Sequence, residues 1–260
     1  MAEAFEVAGL RLTSRLLMGS GRFASSEEFV ACLEASGTEV VTVAVRRVNL
    51  DDRAGASLLD HVDRDRYHLL PNTAGCYTAE EAVRTALLAR ELLGTPLLKL
   101  EVIGDPRTLL PDPVQTVEAT RRLVAEGFSI FAYCSDDPRL VATLADAGAA
   151  AVMPAGSPIG SGRGVANPDH IRIARELVDC PLIVDAGLGT ASDVALAMEL
   201  GADGVLLNSA ISGAEEPQRM ARAARLACEA GREAFRAGRI PRRLYAQASS
   251  PESGLLGAPQ

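Results

Sequence analysis

The sequence predicts an α/β fold, a single (β/α)8 TIM barrel over residues 1–238 with a partly mobile C-terminal tail over 239–260. Three observations lead there. Eight short apolar runs recur, their starts 22 to 31 residues apart. Each run is followed by a turn signal or a helix start. The runs are nearly continuous in apolar residues, as in strands buried on both faces of a parallel sheet. Eight such βα units in sequence close into a barrel, and 260 residues is an ordinary length for one. An open doubly wound sheet is the other arrangement of these units, but no GxGxxG follows the first run.

The elements follow in order. The first run, SRLLMGS (14–20), leads to SSEEF (25–29), which opens a helix with acids in its first turn. The second, EVVTVAV (39–45), ends at Arg46. The third, HLLPNT (68–73), precedes TAEE (78–81), a capping box in which Thr78 caps and Glu81 reaches back. That helix runs to about Leu93 and stops at Gly94, with Pro96 beyond. The fourth run, LLKLEVI (97–103), precedes PDPVQTVEATRRLVAEG, where Pro113 sits near the first turn and Gly127 marks the end. The fifth is FSIFAYC (128–134). The sixth, AAVMPA (150–155), and the seventh, PLIVDAG (181–187), precede the helices NPDHIRIAREL and TASDVALAMELG. The eighth, GVLLNSA (204–210), precedes the longest helix, from about Glu216 to Ala237. The tail RIPRRLYAQASSPESGLLGAPQ is rich in Pro, Ser, Gly and Arg.

Composition excludes several function classes. Hydrophobic residues make up 48% and charged residues 23%, a globular balance. A net charge of −8 argues against nucleic acid and anionic membrane as partners. No apolar run approaches the roughly 20 residues that span a bilayer. The N-terminal MAEAFEVAGLRL lacks a signal-peptide core, so a cytoplasmic location is expected. Cys32, Cys76, Cys134, Cys180 and Cys228 are widely spaced without a CxxC pair, which argues against disulfides and thiolate zinc. His61, His68 and His170 lack metal-ligand spacing and read as structural or solvent-facing.

Barrel active sites lie at the C-terminal ends of the strands. Polar residues that end or interrupt the apolar runs there are Arg46, Asn72, Thr73, Lys99, Glu101, Asp185 and Asn208. Lys99 stands out. It is the sole lysine of a chain with 26 basic residues, the other 25 being arginine. Strand alternation turns Lys99 and Glu101 to the same side, inward if Leu97 and Ile103 share that face. Burial there would lower the lysine pKa and free a neutral amine, which arginine cannot supply. Such an amine forms a Schiff base with a ketone or aldehyde, while Glu101 and Asp185 move protons at the adjoining carbons. The competing expectation is a buried Lys99–Glu101 or Lys99–Asp185 ion pair with no chemistry.

Glycine-bearing loops follow three late strands: PAGSPIGSGRG (154–164), DAGLGT (185–190) and NSAISG (208–213). Small residues let backbone N–H groups approach an anion, and barrels often hold phosphate after strands seven and eight. Ordinary βα turns also use glycine. Taken together, the residues predict a barrel enzyme that forms an imine with a phosphorylated keto or aldehyde sugar. A Schiff-base aldolase on a phosphorylated sugar and a non-catalytic sugar-phosphate-binding scaffold remain open alternatives.

The chain resembles bacterial thiazole synthase of thiamin biosynthesis. The resemblance runs through VTVAVRRVNL, LLPNTAGCYTAEEAVRTA, LKLEVIGDPRTLLPDPVQT, AAVMPAGSPIGSG, VDAGLGTASDVALAMELGADGVLLNSAI and AGRIPRRLYAQASSP. It implies a (β/α)8 barrel that joins 1-deoxy-D-xylulose 5-phosphate, dehydroglycine (2-iminoacetate) and sulfur into a thiazole phosphate carboxylate. It places the Schiff-base lysine at Lys99 and the acid/base carboxylates at Glu101 and Asp185. It places sugar-phosphate contacts at Gly160, Ala186, Gly187, Asn208 and Ser209, with serine at 209 where threonine is usual. Alanine at 155 and FAY at 131–133 also depart from the usual pattern. The implied partners are a sulfur carrier protein with a C-terminal thiocarboxylate and a dehydroglycine-producing enzyme, either glycine oxidase or tyrosine lyase. A homo-oligomer is implied as well, and no metal or other cofactor. Because the carrier brings the sulfur, Cys76 reads as structural.

Overall fold

A computed structural model describes residues 4–45 and 61–249. Arg46 and the end of the tail lie outside the described residues. The chain opens with an antiparallel hairpin, β1 (Phe5–Val7) and β2 (Leu10–Leu12). Its two-residue turn, Ala8 and Gly9, has both φ angles positive, the conformation whose twist suits a tight hairpin.

The barrel strands follow: β3 (Leu16–Gly19), β4 (Val40–Ala44), β5 (His68–Asn72), β6 (Leu97–Leu100), β7 (Ser129–Cys134), β8 (Ala151–Pro154), β9 (Ile183–Asp185) and β10 (Gly204–Leu207). They form one eight-stranded sheet in the order β8-β7-β6-β5-β4-β3-β10-β9, with every pairing parallel. Parallel bridges from Val152 to Leu182 and from Ala155 to Asp185 join β8 to β9 and close the ring. Each of the eight apolar runs read from sequence contains one of these strands.

The described helices are α1 (Ser26–Ser36), α2 (Ala79–Leu93), α3 (Pro113–Ala125), α4 (Pro138–Asp146), α5 (Pro168–Leu177), α6 (Ala191–Glu199), the single turn α7 (Ser209–Ser212) and α8 (Pro217–Ala237). Side-chain caps set the starts of α1 to α4. Thr78 Oγ1 accepts the Glu81 amide, and the Glu81 carboxylate reaches back to the Tyr77 amide. Asp112 and Asp137 cap α3 and α4, each just before a proline at the first helical position. Gly37 and Gly94 end α1 and α2 in the left-handed conformation. Beyond α8, residues 239–249 form no helix or strand and are exposed.

Two cores result. Leu16, Met18, Val41, Val43, Leu98, Leu100, Ile130 and Ala132 face the helices. Alternate residues (Leu17, Val40, Leu70, Leu97, Phe131, Met153, Ile183 and Leu206) face inward and pack against Phe5, Val7 and Leu12 of the hairpin. The hairpin thus plugs the N-terminal end of the barrel and leaves the C-terminal end for polar groups.

Candidate active site

Leu97 belongs to the inner core while Leu98 and Leu100 belong to the outer one, so alternation turns Lys99 into the barrel. Glu101 follows one step above it. Both are buried, with 7% of each residue exposed. Asp185, at the end of β9, is 3% exposed and aims at the same place. Lys99 Nζ lies 2.6 Å from Asp185 Oδ2 and 3.2 Å from Glu101 Oε1. Among the described residues, no other hydrogen bond reaches Asp185 Oδ2.

The lowered Lys99 pKa expected from burial is not what the site produces. Burial alone does pull the Lys99 pKa down, and it is the largest single influence. The charges of Asp185 and Glu101, with their hydrogen bonds, together outweigh it and raise the pKa above that of an exposed lysine. The resting group is therefore an ammonium held between carboxylates. The ion pairs expected as an alternative to chemistry are both present, and they set the starting state from which any chemistry must proceed.

Backbone clamps position these groups. β6 ends at Leu100, so the Glu101 peptide needs partners outside the ladder. Thr73 Oγ1 supplies both, donating to the Glu101 carbonyl and accepting from its amide at 2.8 Å each. Asn72 pairs in register with Lys99, and its Oδ1 accepts the Ala74 amide. Cys76 is buried in the outer core, its Sγ 3.4 Å from Thr85 Oγ1, on the helix side of the strand layer.

The loops after β8 and β9 lock together beside Asp185. The Gly156 amide donates to the Asp185 carbonyl at 3.0 Å, and the Gly164 amide to the Gly187 carbonyl at 2.8 Å. Ser157 Oγ donates to the Gly164 carbonyl at 2.7 Å. Ala186 holds φ +61°, a left-handed conformation that disfavours any residue with a Cβ. Gly187, at φ +76°, has no room for a Cβ, which would lie 2.4 to 2.5 Å from Ser157 atoms. Gly160 sits on the exposed stretch of the β8 loop.

At β10, Asn208 follows the last strand residue, and its buried Oδ1 has no partner among the described residues. Gly19 makes room for it, since a Cβ there would lie 2.6 Å from the Asn208 Cβ. Ser209 begins α7. The structure thus gathers Lys99, Glu101 and Asp185 into direct contact. It places Ala186, Gly187 and Asn208 at the ends of the flanking strands.

Sequence reasoning missed Tyr133. It is fully buried, its hydroxyl lacks a partner among the described residues, and Lys99 Nζ lies 5.5 Å from its ring centre. The signal was available, because Tyr133 shares the parity of Phe131 on a strand next to that of Lys99.

Elsewhere, a cavity of about 550 Å³ opens beside Leu16, between Gly37 and the α8 residues Arg225 and Arg236, at the N-terminal end of β3. It contains none of the groups around Lys99. Among the described residues no group of three or more His, Cys, Asp or Glu is placed to hold a metal ion. No described helix is long and apolar enough to cross a membrane.

Comparison with known proteins adds the family. The family model described as "Thiazole biosynthesis protein ThiG" matches residues 6–251. A protein of Geobacter metallireducens named "Thiazole synthase" is 57% identical over 250 residues, covering 96% of each chain. One of Rhodopirellula baltica with the same name is 59% identical over 256 residues, covering 94% of this chain and 89% of that one. Among solved structures, the chain is similar to one in the Amycolatopsis orientalis BexX/CysO complex. That match has TM-score 0.83 and 36% identity over 93% of this chain and 98% of the other.

Proposed function

Because the chain belongs to the thiazole synthase family of thiamin biosynthesis, we propose that Lys99 is the amine that captures its sugar substrate, 1-deoxy-D-xylulose 5-phosphate, as an imine. The observation that carries this reading is the contact of one buried ammonium with two carboxylates, at 2.6 and 3.2 Å, at the C-terminal end of a barrel whose other end is plugged. An ammonium is no nucleophile, and Asp185, the nearer carboxylate, is its proton acceptor. The freed amine adds to the ketone, and loss of water gives the imine. Removal of a proton from the neighbouring carbon, and its return elsewhere, shifts the carbonyl by one carbon in an Amadori-type step. Glu101 and Asp185 share these transfers.

The sulfur then arrives as the C-terminal thiocarboxylate of a sulfur carrier protein, which attacks the shifted carbonyl; the oxygen of that adduct takes over the carrier's acyl group, the carrier leaves as its carboxylate with that oxygen, and the sulfur stays. Dehydroglycine, from a glycine oxidase or a tyrosine lyase, condenses, and ring closure releases Lys99. The similar BexX chain was solved in complex with CysO, which supports the docking of a second protein on this fold. Gly160, Ala186, Gly187, Asn208 and Ser209 hold the sugar phosphate. The Asn208 amide oxygen, unpartnered among the described residues, can accept from a sugar hydroxyl, and the tight approach of the two loops favours this rim. The barrel forms a homo-oligomer in the cytoplasm, and residues 239–260 act as a tail to the catalytic domain 1–238.

The sole lysine makes the test clean. Borohydride with 1-deoxy-D-xylulose 5-phosphate should leave one reduced adduct, on Lys99, by peptide mass spectrometry. Lys99→Arg should keep the charge but abolish both adduct and turnover. An adduct confined to the N-terminal amine, or turnover by the arginine variant, would refute the assignment. Turnover that needs the thiocarboxylated carrier separates this reading from the aldolase alternative, and the adduct itself separates it from a binding scaffold.

A further inference from the structure

Tyr133 is a buried polar group beside this chemistry that the scheme above leaves unused. It lies two positions beyond Phe131 on β7, so its ring also points into the barrel, above the inner core. Its ring packs among Ile103, Ala155, Leu109 and Ala186. The residue is wholly buried, yet its hydroxyl has no hydrogen-bond partner among the described residues. An unpaired buried hydroxyl is destabilising, and buried tyrosines ordinarily find a partner. Phenylalanine would fill the same space without that penalty, as it does at Phe131 on the same face. The ring centre lies 5.5 Å from Lys99 Nζ, so a molecule bonded to Lys99 occupies the space beside the phenol.

We propose that the Tyr133 hydroxyl is a catalytic hydrogen-bond donor, directed at the carbonyl oxygen of the ketose phosphate that Lys99 attacks. The inference rests on the imine reading given above. As Nζ bonds to the carbonyl carbon, the π pair of the C=O bond moves onto oxygen. A donor fixed in a dry site stabilises that developing charge and keeps its own proton. The oxygen later leaves as water. Both of its protons come from the Lys99 ammonium through the carboxylates, and the third ammonium proton stays on the iminium nitrogen. Burial, and after it the charges of Asp185 and Glu101, hold the phenol pKa far above its ordinary range, so the group is a donor at neutral pH.

The test uses the full-length protein and Tyr133→Phe. If the hydroxyl waits for substrate, its removal leaves the melting temperature of the free protein unchanged or higher. The rate of borohydride-trapped adduct at saturating ketose should fall about 100-fold, with little change in the half-saturating concentration. An unchanged adduct rate would overturn the proposal, as would a loss of rate matched by a loss of stability. A wild-type protein without a Lys99 adduct would instead sink the imine reading itself. A second measurement needs no variant. With Tyr133 alone carrying 13C at Cζ, its resonance should shift when the ketose phosphate binds to the wild-type protein, and a resonance that stays in place counts against the contact.

Discussion

At the scale of single residues, the Lys99 triad shows how two influences of opposite sign decide one protonation state. The sequence signals that one lysine stands inside an apolar run and that Glu101 shares its face. It offers Glu101 and Asp185, 84 positions apart, as alternative ion partners, and does not reveal that both touch Lys99 at once, at 3.2 and 2.6 Å. That contact depends on ring closure between β8 and β9, which no local pattern encodes. The sign of the pKa shift therefore could not be read from burial alone. It leads to a prediction. Because the raised pKa reflects mainly carboxylates opposing burial, Asp185→Asn should lower the Lys99 pKa while reducing turnover. The single lysine gives one 15Nζ resonance, and its titration in the two proteins checks the sign directly. A value that rises in the variant would mean that Asp185 is not the dominant counter-charge. In the wild type the raised value favours the folded state. That contribution is fully present below the pKa of the unfolded lysine and is lost as pH rises through the folded value.

At the scale of elements, the strands and most helix starts were legible because their signals are local: apolar runs, capping side chains and prolines at first helical positions. The N-terminal hairpin was not picked out, although Phe5, Val7, Leu10 and Leu12 alternate around Ala8-Gly9. Three-residue strands carry too little periodic pattern to stand out beside longer runs. The glycine-bearing loops were legible as loops, but their interlocking was not. Gly187→Ala tests that interlocking. Positive φ alone costs about 1–2 kcal/mol with a Cβ. Steric overlap with Ser157 adds about 1–3 kcal/mol, since the contact is largely with backbone that has little freedom to give. Chemical denaturation should show a loss in that range, and the affinity for 1-deoxy-D-xylulose 5-phosphate should fall with it. A variant of wild-type stability would show that the two loops are not tightly coupled.

At the scale of the molecule, the barrel divides its labour between its two ends. The N-terminal end is closed by the hairpin, where Phe5 is 3% exposed and packs with inward-facing strand residues such as Leu17 and Phe131. The C-terminal end carries the strained Ala186 and, among the described residues, the unpartnered Tyr133 hydroxyl and Asn208 amide oxygen, which oppose folding to some degree. On this division the plug offsets what the site costs in stability. Truncating Phe5 should then damage stability and spare chemistry. Phe5→Ala should lose about 3–5 kcal/mol, a fall in melting temperature on the order of 10 °C at about 2–4 °C per kcal/mol for a chain of this size. At a temperature where circular dichroism shows the variant folded, the rate of adduct formation at Lys99 should match that of the wild type. A fold that stays intact while that rate collapses would show that the plug reaches the reacting groups. The inner core joins Phe5 to Leu97, two residues before Lys99, so that is the path along which such coupling would travel.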